Sequence, residues 1–361
     1  MNISRIELFR HSLPLVQALE VSGRSFVFRS GLLLRLTDDQ GHVGVGEAAP
    51  LPGYSPETLE DVLAQAETLT DLAGQAVPSG LEALDGGFEA WLGARSLAPS
   101  LRFAIESAVL GLLATERGMP LRRLISADAR DRVPVMGLLN GNLGEIRKKA
   151  QYLQGAGYNA VKLKVGRYDL ADDVQTVAWL HRTFASAVTL RLDANRAWKY
   201  DAAVSFARQT EDCEVVYIEE PIDEPDRFAE FAQESGMDVA LDESLRDLPP
   251  EALQAQPDII ALVLKPTVLG LETSVRLARR GLELNMNPTI SSSFESGLGL
   301  GVLAQMAAAL QRENTSAGID TYEWFDADVY SDRLPLRSSA IDLAAFDADL
   351  PPIAYDRLQK I

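Results

Sequence analysis

The 361-residue sequence predicts an α/β protein in which a (β/α)-barrel follows a small α+β domain. Three observations carry this reading. Turn-rich strand patterns occupy the N-terminal region. From about Val133, short apolar runs alternate with helical stretches. Five of those runs in succession end on a charged residue.

In the N-terminal region, FRSGLLLRLTDDQGHVGVGEA sets two apolar runs around TDDQG, an Asp- and Gly-rich turn, and predicts a hairpin. Leu59, Leu63, Ala66 and Leu69 recur at spacings of four, three and three, which predicts a helix over 57–76 ended by AVPSG. Ser55, ahead of Pro56 and Glu57, is the expected N-cap of that helix. Beyond Val133 the expected strands are VPVMGLL, AVKLKV, VTLRLDA, VVYIEE, DVALDE, IIALVLK and LNMNPTI, with a weaker eighth in GIDTYE. The clearest intervening helix follows Asn142, with Leu143, Ile146, Ala150 and Leu153 on one stripe and Gly157 as its C-terminal cap. Strands alternating with helices make a parallel sheet, and seven or eight units over about 190 residues suit a closed barrel. The pattern alone also accommodates an open doubly wound sheet. The expected division is an α+β capping domain over residues 1–100, joined by the tail 326–361, and a barrel over 101–325.

Composition narrows the class. A net charge of −18 argues against nonspecific binding to nucleic acid or an anionic membrane. The sole cysteine, Cys213, allows no internal disulfide and no thiolate metal cluster, and fits a reducing compartment. The start, MNISRIELFRHSLPL, is interrupted by Arg5, Glu7 and Arg10 and does not read as a signal peptide. No segment has the roughly 20 uninterrupted apolar residues of a membrane span. The expectation is a cytoplasmic protein with a small-molecule partner and no evident obligate protein partner.

Within AVKLKV, a spacing of two puts Lys162 and Lys164 on one face. An exposed strand face would carry lysines as well, so the neighbouring strands decide. Reading the strand ends in order gives Lys164, Asp193, Glu219, Asp242 and Lys265, at separations of 29, 26, 23 and 23 residues, about one βα unit each. Any one acid there could serve merely as a helix cap. Five charged residues in register form a constellation at the end of a barrel where chemistry resides. Three oxygen donors on separate strands suit a hard divalent cation such as Mg²⁺. His11, His42 and His181 are scattered and offer no zinc site. A cation holding a substrate carboxylate stabilises the enediolate formed when the adjacent carbon loses its proton. Lysine, ordinarily near pKa ~10.4, becomes a usable base when desolvated beside another cation.

These residues carry a resemblance. GVGEAAPLPGYSPET, VKLKVG, LRLDANRAW, IEEP, LDESLR, VLKPT, ISSSFESGLGL and GIDT run nearly end to end, and with them the chain resembles the enolase superfamily in its muconate-lactonizing subgroup. It is most similar there to the o-succinylbenzoate synthases of menaquinone biosynthesis. The resemblance implies a modified TIM-type barrel, (β/α)7β-like, in which Asp193, Glu219 and Asp242 ligate one Mg²⁺, with Mn²⁺ able to substitute. It implies Lys164 as the acid/base, tuned by Lys162, with Lys265 as the cation across the substrate, a Lys-and-Mg²⁺ pattern known for this superfamily. Glu220 would be a structural neighbour, and Arg191 and Asn195 would support the metal ligands. Ser291, Ser292, Gly297 and Leu298, at the start of the helix after the seventh strand, would hold a substrate carboxylate through backbone N–H groups. Gly53 and Tyr54, in the PLPGYSPET loop, would close over the barrel mouth. The implied reaction is a syn elimination of water from 2-succinyl-6-hydroxy-2,4-cyclohexadiene-1-carboxylate, giving 2-succinylbenzoate.

Two rivals stand beside it. N-acylamino-acid racemases and dipeptide epimerases of the subgroup use the same lysines to remove and return a proton, but the epimerases usually carry an Asp-x-Asp where this chain has Asp320, Thr321 and Tyr322. A noncatalytic protein on the same barrel would have lost a ligand or a lysine, and none is missing. Gly44, Gly46 and Ala49 mimic part of a dinucleotide fingerprint, but Pro50, Leu51, Pro52 and Gly53 stand where its helix should begin.

Overall fold

The structure, a computed structural model, describes residues 1–336 and 338–361. Its first unit is antiparallel: β1 (Ile3–Val21), β2 (Arg24–Asp38) and β3 (Val43–Ala48). Strands β2 and β3 pair from Leu32↔Ala48 to Thr37↔Val43, with the Asp- and Gly-rich turn between them as expected. Asp38 ties that turn by accepting from the backbone N–H groups of Gln40 and His42 at 2.9 and 2.8 Å.

The helix after β3 departs from its expected bounds. It runs only over Leu59–Glu67 before tightening into a 3-10 turn at Thr68–Leu72. Its N-cap is Thr58, not Ser55, because a capping box needs an acid three residues on and Asp61 supplies it. The Ser55 hydroxyl instead accepts from the Leu51 N–H at 2.9 Å and folds the loop before the helix.

The expected strand VPVMGLL divides in two. β4 (Arg132–Pro134) leaves the barrel, and β5 (Gly137–Leu139) enters it. β6 (Ala160–Lys164), β7 (Thr189–Asp193), β8 (Val215–Glu219), β9 (Val239–Leu241), β10 (Ile259–Leu264) and β11 (Asn287–Ile290) follow, all parallel and adjacent in chain order. Two short strands return later: β12 (Ala340–Asp342) pairs with β4, and β13 (Gln359–Lys360) pairs with β1.

The eighth expected strand, GIDTYE, is not a strand. Ala317 bridges Val135 and Gly318 bridges Ser291, while Tyr322–Trp324 forms a 3-10 turn. Two bridged residues are too few for a ladder, yet they join the two edges of the seven-stranded sheet. The sheet is therefore curled closed, and an open doubly wound arrangement is excluded. Gly318 permits the closure, since a Cβ there would meet the Ser291 hydroxyl at 2.8 Å.

Alternation along the strands explains the burial. Val161, Leu163, Leu190, Leu192, Ile218, Leu262 and Leu264 join the main apolar core beneath the helices. The opposite face carries Lys162, Lys164, Arg191, Asp193, Tyr217 and Glu219, together with a small separate cluster of Tyr217, Ala240, Ala261 and Val263. The first barrel helix, Leu143–Gly155, begins with a capping box between Asn142 and Glu145, and Gly157 follows it at φ +79°.

Buried carboxylates stitch the cap to the barrel by capping helices. Glu47 of β3 accepts from the N–H groups of Ser296 and Gly299 at the start of helix Gly297–Leu310. Glu106, on helix Pro99–Glu116, accepts from Leu271 and Glu272 at 2.6 and 3.0 Å. Glu272 in turn accepts from Phe88 and Glu89. Each places negative charge where unpaired N–H groups and the helix dipole favour it.

The glycines of the dinucleotide-like string have a packing role. β3 lies so close to helix Pro99–Glu116 that a Cβ on Gly46 would sit 1.9 Å from the Ala104 carbonyl oxygen, and one on Gly44 equally close to that of Ala108. Backbone on both sides cannot yield as a side chain would. Gly46→Ala should therefore lower unfolding stability by roughly 1–3 kcal/mol or more, read from denaturant midpoints. An unchanged midpoint would refute the close approach.

Candidate active site

Strand register assembles the site. Lys164 is paired with Asp193, and Asp193 with Glu219, so β6, β7 and β8 end in one row. Asp242 and Lys265 follow immediately after β9 and β10. The sequence spacing of about one βα unit thus becomes adjacency at the carboxyl end of the strands.

Asp193, Glu219 and Asp242 are buried, and one oxygen of each lies within 4.8 Å of the others. Three lysines answer this charge. Lys162 reaches Glu219 Oε2 at 3.1 Å and Asp193 Oδ2 at 3.3 Å. Lys164 donates to Asp193 Oδ2 at 2.5 Å and Asn195 Oδ1 at 2.7 Å. Lys265 donates to Asp242 Oδ2 and, at 2.6 Å, to the Tyr54 hydroxyl, which itself donates to Asp242 Oδ1 at 3.1 Å.

The lysines are electrostatically unequal. Burial lowers the Lys164 pKa, and Lys162 and Lys265 add to that shift against the pull of Asp193. For Lys162, burial is outweighed by Glu219 and Asp193, so its pKa rises. Lys265 is raised well above the ordinary range because Asp242 and its neighbours overcome burial. Among the carboxylates, burial works to raise Asp193, but the three lysines win and lower it. Burial together with Asp193 and Asp242 pushes Glu219 up to about 8, against Lys162.

Supporting contacts are specific. Asn195 has a left-handed backbone, φ +44°, from which its N–H donates to Asp193 Oδ1 at 3.1 Å and its amide nitrogen to Glu243 Oε1 at 3.0 Å. Glu220 accepts from the N–H of Asp242 at 2.9 Å and that of Ser244 at 2.8 Å, which fixes the loop after β9. Arg191 sits deeper in the barrel, donating to the Ser316 carbonyl at 3.2 Å with its guanidinium 5.2 Å over the Tyr217 ring.

A cavity of about 490 Å³ opens onto this row. Gly53 and Tyr54 line it from the cap loop, and Ser291 and Ser292 from the loop after β11. Gly297 and Leu298, expected at the sequence level to meet a substrate, are not among the residues that line it. Their N–H groups are already taken, by Asp328 Oδ1 at 3.0 Å and by the Ser296 hydroxyl at 3.2 Å. Glu47 occupies the rest of that helix start, leaving it no free donors for an anion.

Other cavity residues escaped the sequence reading. Leu19, Glu20, Val21 and Ser22, at the β1–β2 turn, form part of the wall. Arg246 and Phe294 do so as well. Behind them Arg29 is buried and donates to the carbonyls of Ala49 (2.8 Å), Pro50 (2.9 Å), Ser293 (3.2 Å) and Phe294 (3.0 Å). It joins the cap loop to the barrel loop across the site. For Arg246 a signal existed, since LDESLR places it four residues beyond Asp242. For Arg29 and the β1–β2 turn, no local pattern marks proximity to strands over 100 residues away.

A curled parallel barrel with acids and lysines at its strand ends, under an antiparallel cap, defines a class. Residues 145–345 match the family described as enolase C-terminal domain-like, and residues 3–84 match the MenC N-terminal domain. The o-succinylbenzoate synthase of Pectobacterium atrosepticum is 32% identical over 361 residues, covering 99% of this chain and 98% of that protein. That of Yersinia pseudotuberculosis is 34% identical over 327 residues, covering 89% and 91%. The chloroplastic protein PHYLLO of Arabidopsis thaliana is 32% identical over 85% of this chain, which spans only 20% of that longer protein. Among solved structures, the L-Ala-D/L-Glu epimerase of Bacillus subtilis superposes with a TM-score of 0.82 at 23% identity, covering 95% and 96% of the two chains. The muconate lactonizing enzyme of Pseudomonas fluorescens gives 0.81 at 18% identity, covering 99% and 98%. At those identities the structures speak to the fold. The chain belongs to the enolase superfamily, and within it to the o-succinylbenzoate synthase family.

The carboxylate triad generates a binding prediction. A cation must displace the proton that Glu219 holds below about pH 8, so apparent affinity should climb as pH rises toward 8 and then level. Calorimetry of divalent-cation binding at several pH values checks this. Glu219→Gln should weaken binding by at least the roughly 10–100-fold seen for loss of an outer-sphere partner. Binding that is independent of pH and of Glu219 would place the cation elsewhere.

Proposed function

We propose that the chain catalyses the Mg²⁺-dependent syn dehydration of 2-succinyl-6-hydroxy-2,4-cyclohexadiene-1-carboxylate to 2-succinylbenzoate, through an enediolate. The observation that carries this reading is the buried triad of Asp193, Glu219 and Asp242 set between Lys164 and Lys265. The donor set fits the cation: three hard carboxylates, with Glu219 Oε1 buried and lacking any partner. Asp193, Glu219 and Asp242 would hold Mg²⁺, with Mn²⁺ able to replace it. The bound cation supplies Lewis-acid stabilisation of negative charge on the substrate carboxylate.

The chain's own residues do the rest. Lys164 is the base, because burial and its two neighbouring lysines favour its neutral form. It removes the proton on the carbon beside the ring carboxylate. As an ammonium it then protonates the departing hydroxyl on the same face, which makes the elimination syn. Lys265, held cationic by Asp242 and its neighbours, stabilises the enediolate from across the site. Lys162 stays charged between Asp193 and Glu219 and keeps the proton affinity of Lys164 low. Asn195 fixes the Lys164 amine through its side-chain oxygen. Tyr54 and the β1–β2 turn form part of the cavity wall. Aromatisation drives the second step, so few further groups are required.

The family resemblance at 32–34% identity over most of the chain supports this substrate. The epimerase alternative would use the same lysines. Where an epimerase usually carries Asp-x-Asp, this chain has Asp320, which is already engaged by the Tyr158 hydroxyl at 3.0 Å and the Leu138 N–H at 3.3 Å, and then Thr321 and Tyr322.

With Mg²⁺ present, the protein should consume the cyclohexadiene, followed as a fall in its absorbance. Lys164→Ala should reduce kcat by at least about 10²–10⁴-fold, the usual contribution of a positioned acid/base. Because Lys164 must start neutral, kcat/KM should rise with pH through a pKa below the ordinary lysine value. Exchange of the α-proton of N-succinyl amino acids without consumption of the cyclohexadiene would overturn the dehydration in favour of racemisation.

A further inference from the structure

Five cationic side chains line the cavity: Lys162, Lys164, Arg167, Arg246 and Lys265. The three lysines are committed to the buried carboxylates. Arg167 is exposed and donates to Asn140 Oδ1 at 2.9 Å. Arg246 is placed differently. It follows the short turn Glu243–Leu245, four residues past Asp242, and is half-buried. Its guanidinium lies 4.1 Å over the centre of the Tyr54 ring, the ring whose hydroxyl touches both Lys265 and Asp242. Its Nε is buried with no acceptor, and among the described residues it forms no ion pair. Burial and the Tyr54 hydroxyl act on it most, Glu243 and Asp242 follow through space alone, and one oxygen of Glu243 is taken by Asn195.

A planar guanidinium partly stripped of water, without an anionic partner, in a cavity otherwise built for carboxylate chemistry, is a preformed carboxylate receptor. Its position over the Tyr54 ring holds the guanidinium in place before any ligand arrives. We propose that Arg246 receives the second carboxylate of a dicarboxylate substrate, the one at the end of the succinyl chain, while the ring carboxylate lies at the triad. This rests on the synthase reading and adds to it the group that selects for a succinyl side chain. A neutral chain end would leave the Arg246 donors, partly stripped of water, without a partner and would be disfavoured for that reason.

The test compares two ligands that differ only in the distal carboxylate. Binding of 2-succinylbenzoate and of 2-butyrylbenzoate to the full-length, Mg²⁺-loaded protein is measured by calorimetry, for the wild type and for Arg246→Met, which retains bulk against Tyr54. The wild type should prefer the succinyl compound by on the order of 10–100-fold, the range for a charge-assisted contact. Arg246→Met should lose most of that preference, and Arg246→Lys should recover part of it. Equal weakening of both ligands, with the preference intact, would show that Arg246 only positions Tyr54 and would overturn the proposal alone, since wild-type turnover of the cyclohexadiene would be unaffected. Failure of the wild-type protein to bind either compound or to turn over the cyclohexadiene would sink the synthase reading and this inference together.

Discussion

The structure is organised around the mutual repulsion of three carboxylates confined within a few ångströms. Two like charges about 4 Å apart cost each other roughly 4 kcal/mol at an effective dielectric of about 20, and Asp193, Glu219 and Asp242 form three such pairs. Left alone they would protonate or move apart. Lys162, Lys164 and Lys265 offset the repulsion by standing between them, and Glu219 still lies well above the ordinary carboxylate range. The cluster persists because the backbone cannot yield. Lys164, Asp193 and Glu219 end strands, Asp242 and Lys265 directly follow them, and Lys162 lies within β6, while each strand is locked to its neighbours by ladder pairing and by the apolar side chains on its outer face. Burial of each such Leu, Ile or Val contributes about 1.5–3 kcal/mol, so the outer core readily sustains a strained interior. A divalent cation held by the three carboxylates, as proposed above, would relieve the same repulsion more completely than protons do.

The cap reaches into this cluster. Tyr54 reaches from a loop after β3 to touch Lys265 and Asp242, and Arg29 ties that loop's base to the barrel loop at Ser293 and Phe294. Four hydrogen bonds from one buried guanidinium, all to backbone carbonyls, set the gap between the two walls without tying up a carboxylate. Glu47 and Glu272 hold the same seam by capping helices across it, and Glu106 caps the helix start that carries Glu272. The contacts that seat the cap on the barrel are therefore the ones that shape the cavity, whose wall includes the β1–β2 turn.

Much of this was legible in the sequence, because strand and helix periods are local. The alternation in AVKLKV gave the common face of Lys162 and Lys164, and strand-end spacing gave the row through Asp193 and Glu219. What periodicity could not reveal is what depends on distant partners. Gly297 and Leu298 look like a free helix start until Glu47 and Asp328, from elsewhere in the chain, are found occupying it. GIDTYE has the composition of an eighth strand, but two bridged residues suffice to close the barrel there. Ser55 lost the cap to Thr58 because Asp61 is positioned to complete a capping box. Arg29 and the β1–β2 turn had no signature at all. Their neighbours at the site are set by how the cap docks, and docking leaves no period in a sequence.

The most direct test of the central claim is anomalous diffraction from crystals grown with Mn²⁺. The account predicts a single strong peak bound by one oxygen each from Asp193, Glu219 and Asp242, with the amine of Lys164 released from Asp193. A peak at any other cluster, or lysines still paired with an empty triad at saturating Mn²⁺, would contradict it.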